Sequence, residues 1–495
     1  MAERERNGQL LFEESDWTFD ALRRTHDALE RLATDDLGLD VYPNQIEIIS
    51  TEQMLDAYSS IGMPVMYRHW SFGKHFIQHE RLYRTGARGL AFEIVINSNP
   101  CICYCLEENS MPLQALVMAH AAFGHNHFFK SNHLFQQWTD PDGILDYLEY
   151  ARSFVAKCEE RHGRREVEQL IDSAHALMPN GVFRHHRPPS LSQREQERDA
   201  RRRLRDQEKA ADYLLDTLVP SEGSAAADAA DETRRKMKLP EENLLYFLER
   251  FSPILQPWQR EVLRIIGSLA QYYYPQKQTQ VMNEGCACFV HFECMRRLHD
   301  AGRISDGAML EILHHHSNVL AQTDFDQPGF GGINPYALGF AMMQDIQRIC
   351  EEPTEEDRAW FPQIAGAGDW RNVLKDVWRN YRDESFIQQF LSPHVMRKFR
   401  LFALTDNSEE NWYTVSNIHD ERGYRGLRDA LSRSRDISMS EPEILVSHVD
   451  LPGDRVLHLQ HVVRNEIPID QAQRRAMLEH LQRLWGYRVV LEDIH

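Results

Sequence analysis

MAHAAFGHN, residues 118–126, and NEGCACFVH, residues 283–291, decide how this chain reads. Each is apolar enough for a helical core, yet each carries side chains suited to holding metals. The first supplies His120 and His125; the second supplies Glu284 and His291. Buried imidazoles and carboxylates are costly unless they are paired or bound to a metal. Two such segments therefore point to a helical metal site. Glu284 and His291 are seven apart, so on a helix they differ by about 20° and share one stripe. His120 and His125 are five apart, about 140° around a regular helix, and would not share a face. Gly124 between them is expected to end or kink the helix and let His125 swing back. His127, seven from His120, is a competing partner. Zincin proteases place two histidines four apart with a glutamate base between them. Here Ala121 stands where that glutamate would be, so a base must come from elsewhere. Glu107 and Glu108, just upstream, are the nearest candidates. A metal site and a hydrogen-bonded network that fixes helix packing both stay open on these residues alone.

The rest of the chain narrows the field. Its 495 residues leave room for two or more domains, and 42% hydrophobic with 26% charged residues is the balance of a soluble globular protein. A net charge of −19 disfavours nucleic acid and anionic membranes as partners. No run of 18 apolar residues spans a membrane, and MAERERNGQL lacks the apolar core of a signal peptide, so a cytoplasmic location is expected. The eight cysteines include no C-x-x-C pair and read as buried free thiols. Phosphate-loop, dinucleotide, nucleophile-elbow and H-E-x-x-H motifs are absent.

The expected fold class is a mainly α-helical N-terminal body, α+β in detail, followed by a small α/β module. The body runs over 16–395. LAFEIVINSNPCICYCL supplies a buried strand pair. A charged insertion and low-complexity linker, about 187–240, interrupts the body. From 398 to 495, strand-like runs alternate with the helical GYRGLRDALSR and QAQRRAMLEHLQRLWG. Asn334 before Pro335 reads as a helix cap. His314, His315 and His316 cannot all face one site.

Longer segments identify a relationship. YPNQIEIISTEQMLDAYSSIGMPVMYRHWSFGKHF, FEIVINSNPCICY, EENSMPLQALVMAHAAFGHN, YYPQKQTQVMNEGCACFVH, GINPYALGFAMMQDI and RDESFIQQFLSPHVMRKFRLF closely resemble the stage V sporulation protein R family, in its Gram-negative form. The pattern carries onto His120, Gly124, His125, Asn126, Asn283, Glu284, Gly285, Ala287 and His291. Cys286 departs from it, standing where the family often has tryptophan. The resemblance implies a cytoplasmic protein named for spore-cortex formation, and elsewhere a stress or stationary-phase factor. It also implies a functional link to a serine protein kinase and a partner with a von Willebrand-type fold.

Two functions follow. One is a metal-dependent, zincin-like hydrolase of an amide-type bond in a peptide-like or cell-wall-related substrate. His120, His125 and Glu284 would hold a divalent ion, zinc first, with His291 as fourth ligand or supporting partner and Glu108 activating water. The other is a non-enzymatic regulatory or assembly protein whose histidine–glutamate network is structural.

Overall fold

The structure is a computed structural model. It describes residues 9–60, 92–185, 239–323, 331–401, 403–406, 413–417, 420–449, 453–464 and 468–495, with scattered positions among 63–78 and at 327 and 451. The expected insertion at about 187–240 lies almost wholly outside these residues. The chain forms two compact units. The first comprises Met1–Arg164 and Tyr272–Ser440, the second Arg165–Gln271 and Glu441–His495.

The first unit contains one small sheet and a helical core. Strands β1 (Asn44–Ile49), β2 (Glu93–Ile96) and β3 (Cys101–Leu106) lie in the order β1-β3-β2. β3 pairs parallel with β1 and antiparallel with β2, placing Cys103 opposite both Ile46 and Val95. β2 and β3 are the strand pair expected from the sequence. β1 falls in YPNQIEI, which reads as irregular because a half-exposed strand whose partner lies far along the chain has little local signature. Cys101, Cys103 and Cys105 alternate on one face of the central strand and are fully buried.

Helix α1 (Met111–Met118) follows, buried along its whole length. Ser110 starts it by accepting the Leu113 N–H, and Pro112 sits in its first turn. The chain continues through a π-helical turn, Ala119–His125, into α2 (Asn126–Ser131). Three longer helices complete the part that matters for function: α3 (Gln280–Asp300), α4 (Asp306–Val319) and α5 (Pro335–Glu351). Asn334 caps α5 as expected, accepting the Tyr336 N–H. Asp383 accepts the N–H groups of Val281 and Met282 at 2.8 and 2.9 Å and so holds the start of α3.

Glycines let α3 approach its neighbours closely. A Cβ on Gly124 would stand 2.5 Å from the Ala287 Cα, and one on Gly285 would stand 2.6 Å from the Gly339 Cα. These contacts explain the Gly-x-Ala step of NEGCA. Gly285 meets α5, and Ala287 receives the π turn. Cys286 lies between them, its thiol 3.9 Å from the Gly124 carbonyl. Near its end the unit adds a two-stranded pair, β4 (Ala403–Asp406) and β5 (Tyr413–Asn417), followed by the helix Glu421–Ser434.

The second unit combines the helices Arg164–Ala176, Leu244–Phe251 and the start of Pro257–Gln278 with a sheet of β6 (Glu443–Val449), β7 (Leu457–Val462) and β8 (Val489–Ile494). β7 lies centrally, antiparallel to β6 and parallel to β8. Helix α6 (Gln471–Trp485) makes the crossover that a parallel pair requires. Trp485 is fully buried, stacks on Phe247 at 5.9 Å and donates to the Arg455 carbonyl. The protein is thus mainly helical with a small C-terminal α/β module. The stretch 398–495 is shared between the units: β4 and β5 fall in the first, β6 to β8 in the second. No helix among the described residues is long and apolar enough to cross a membrane. All eight cysteines are free and buried.

Candidate metal centre

The π turn resolves the spacing of the two histidines. Its hydrogen bonds skip five residues instead of four, so the residue five along falls where i+4 would on an α-helix. His120 and His125 consequently face the same way, with ring centroids 4.6 Å apart and planes perpendicular. Gly124 does not kink the helix as expected; it lets the widened turn settle against Ala287.

Glu284 rises from α3 to meet both rings. Its Oε2 lies 3.5 Å from His125 Nε2 and 4.0 Å from His120 Nε2. A second carboxylate, Glu93 of β2, brings Oε1 to 3.7 Å from His120 Nε2. These separations are too long for hydrogen bonds. They suit donors around one ion, because ligands about 2.0–2.2 Å from a tetrahedral metal stand roughly 3.3–3.6 Å apart. Glu284 Oε2 is buried and has no hydrogen-bond partner. Its carboxylate is steadied by the Tyr336 hydroxyl at the start of α5. The two rings are almost enclosed, whereas the Glu93 and Glu284 side chains keep 22% and 18% exposure. The carboxylate side is therefore the less enclosed side of the centre.

Burial shifts every group at the centre towards its neutral form. Burial pushes the Glu93 carboxyl up to about 8, with the Glu284 charge adding to it. Burial likewise raises Glu284 to about 7 against the opposing Tyr336 hydrogen bond. Burial lowers His125 to about 4 despite its bond to Asn283. It also drives His120 well below the usual imidazole range, helped by His125, His291 and His316 and opposed by the Ala287 carbonyl. Neutral imidazoles with available lone pairs are what a metal requires. His125 Nδ1 lies 2.9 Å from Asn283 Oδ1, and an amide oxygen only accepts. The proton is thus on Nδ1, and Nε2 presents its lone pair to Glu284.

His120, His125 and Glu284 therefore converge as expected, with donor atoms all within 4.8 Å of one another. His291 joins from the far side. Its Nδ1 lies 3.0 Å from His120 Nδ1 and its Nε2 lies 2.7 Å from His316 Nδ1. A second grouping, His120, Cys288 and His291, also meets the distance condition. Charge favours the first, where Glu284, with Glu93 beside His120, would offset a dication; burial instead raises the Cys288 thiol far above its usual range. Glu108 stands elsewhere, on the exposed turn after β3, bonded to Thr51 at 2.7 Å. The carboxylate beside His120 is Glu93. His127 also turns away, its Nδ1 at the Asp40 backbone.

Glu93, Asn283, His316 and Tyr336 are the members that spacing arguments missed. Glu93 had a signal: it is the lone charge in LAFEIVI, a strand otherwise apolar. His316 is one of three adjacent histidines. His314 stands beside the exposed Asn318 and His315 against Phe92, while only His316 turns inwards.

Comparison with known proteins agrees with this organisation. Residues 16–440 match the family described as SpoVR like protein, and residues 442–495 match the SpoVR-like C-terminal domain. The boundary falls where the second unit resumes. A relative from Escherichia coli (strain K12), "Uncharacterized protein YcgB", is 52% identical over 480 residues, covering 97% of this chain and 92% of its own. No solved structure matches. The chain belongs to the SpoVR family.

Proposed function

We propose that the protein is a metal-dependent hydrolase of an amide-type bond, with a zinc ion held by His120 Nε2, His125 Nε2 and Glu284. The observation that carries this reading is the unbonded Glu284 Oε2 facing two imidazole nitrogens at ligand-to-ligand spacing. Two histidines and one glutamate are the donor set of many catalytic zinc sites. A divalent ion there would supply Lewis acidity, polarising a carbonyl and making water a nucleophile near neutral pH.

The residues themselves do the rest. Glu93, raised to about 8, exchanges a proton near neutrality and serves as the base in place of Glu108. It takes a proton at its carboxylate from water and returns it to the departing amine. Tyr336 fixes the Glu284 carboxylate through its hydroxyl, and Asn283 fixes the His125 ring. The less enclosed carboxylate side is where a peptide-like or cell-wall-related substrate enters. The SpoVR resemblance supports a role in cell-envelope, sporulation or stress physiology, and a link to a serine kinase and a von Willebrand-type partner.

The test is the metal content of protein purified without chelator. One ion per chain is expected, lost in Glu284→Gln and His120→Ala. A metal-free wild type that also refuses added zinc would leave the regulatory reading, with the cluster as a purely structural network.

A further inference from the structure

Three histidines stand in file behind the centre, and only the first faces the carboxylates. His120 Nδ1 meets His291 Nδ1 at 3.0 Å, and His291 Nε2 meets His316 Nδ1 at 2.7 Å. The three come from different elements: the π turn, α3 and α4. His291 and His316 are both buried. The last ring is clamped, stacked on Phe292 at 5.1 Å and edge-on to Phe340 at 4.8 Å. His316 is thus held in one orientation by aromatic walls, although it lies two rings away from the carboxylates.

Each neutral imidazole carries one N–H, and each contact in the file needs one. Only two arrangements satisfy both contacts with all rings neutral. In the first, His120 donates from Nδ1 to His291 Nδ1, and His291 donates from Nε2 to His316 Nδ1. The Nε2 of His120 then presents a lone pair to Glu93 and Glu284. In the second, every proton runs the other way, and His120 Nε2 carries hydrogen towards carboxylate oxygens at 3.7 and 4.0 Å, beyond hydrogen-bond reach. The first arrangement aims the His120 Nε2 lone pair at the space shared by Glu93 and Glu284 and places the outward N–H on His316 instead, with the Ala287 carbonyl beside the His120 ring in both.

We propose that His316 is a positioning residue which, through His291, fixes His120 in the tautomer that offers Nε2 to a metal ion. The inference rests on the metal-centre reading and assigns His291 to support rather than to ligation. Metal-bound histidines commonly donate their other N–H to a carboxylate, carbonyl or water. An imidazole file provides that acceptor without adding charge. Glu93 and Glu284 together already match a dication, so a third buried carboxylate would leave the centre net negative.

Two substitutions test the file. His316→Leu keeps bulk but removes the acceptor, while His316→Gln keeps bulk and restores an acceptor oxygen. Zinc affinity is measured by chelator competition, and melting temperature on the metal-free proteins. The expected result is a 10- to 100-fold affinity loss in His316→Leu, partly recovered in His316→Gln, with the two melting temperatures close together. Wild-type affinity in His316→Leu overturns the proposal, as does an equal loss in both variants that follows their melting temperatures. Long-range nitrogen–proton NMR of the imidazoles gives a metal-independent readout. His120 protonated on Nδ1 and His291 on Nε2 supports the file; the reverse order overturns it. A wild type that binds no zinc defeats the metal-centre reading, and the NMR order still decides the file.

Discussion

Helix α5 touches two buried acidic regions, one near each end, and they are built on opposite terms. Towards its C-terminal end, Arg348 pairs with Asp357 through 2.7 and 2.9 Å hydrogen bonds and with Asp345 at 2.8 Å. Burial alone would raise the Asp357 carboxyl, but the bonds from Arg348 and Thr354 hold it down at about 2. At the N-terminal end, Tyr336 touches Glu284. There, among the described residues, no lysine or arginine pairs with Glu284 or Glu93, and burial drives both carboxyls up. Asp345 also leaves one oxygen unbonded, yet its charge is met by Arg348. The fold can place an arginine against buried acids and does so where the role is structural. At the centre, among the described residues, it places no arginine or lysine against the carboxylates.

Removing a carboxylate from each region should give opposite signs. Asp357→Asn leaves Arg348 with Asp345 alone and weakens the bonds that Thr354 makes to the Asp357 side chain, so it should cost about 3 kcal/mol in chemical denaturation. Glu284→Gln in metal-free protein removes an unmatched buried charge and should leave stability equal or about 1 kcal/mol higher at pH 8. Equal losses in both variants would erase the distinction between the regions. A packing test comes next. Gly124→Ala should cost about 2 kcal/mol and weaken zinc binding, because its Cβ would press α3 away at Ala287. Gly307→Ala, with nothing within 4 Å of the added carbon, should change stability by less than about 1 kcal/mol. If Gly124→Ala lowers stability but spares zinc affinity, helix approach does not set the donor geometry.

The two regions also differ in the slope of stability against pH. Glu93 and Glu284 have folded values of about 8 and about 7 against an ordinary 4.5, so the folded state holds protons the unfolded state has released. Metal-free protein should therefore lose stability as pH rises from about 5 to 8, by roughly 2 kcal/mol per pH unit. Glu284→Gln should roughly halve that slope, leaving the share of Glu93. Asp357 has the opposite sign: its contribution is present above pH 4 and fades as pH falls towards 2. Urea titrations across the pH range read both limbs. A rising slope between pH 5 and 8 would mean the two glutamates are matched by charge after all.

The sequence carried much of this and missed the rest for identifiable reasons. The helical body, β2 with β3, the Asn334 cap and the meeting of His120 with Glu284 all followed from local pattern and spacing. What local spacing did not give was the second carboxylate beside His120. Glu108 is 12 residues from His120 but faces solvent. Glu93 is 27 residues away and arrives on a neighbouring strand, because the sheet abuts the π turn. His316 was unreadable for a related reason, since nothing local distinguishes one of three adjacent histidines until Phe292 and Phe340 close around it. β1 is the same lesson in the fold, a strand specified by a partner more than fifty residues away.

The π turn can also be read as arithmetic on the chain. Between α1 and α2 there is one residue more than a continuous α-helix would hold. Deleting Ala121 or Ala122 would write AHAFGH, with the two histidines four apart, the interval zincins use on an unbroken helix. The surplus alanine thus acts as a phase shifter. It turns α2 about 100° round from where an unbroken α-helix would carry it, while the histidines still look the same way. A zincin helix spends the position after its first histidine on the base. Here Ala121 lies fully buried at that position, and the nearest second carboxylate reaches the centre from a strand instead.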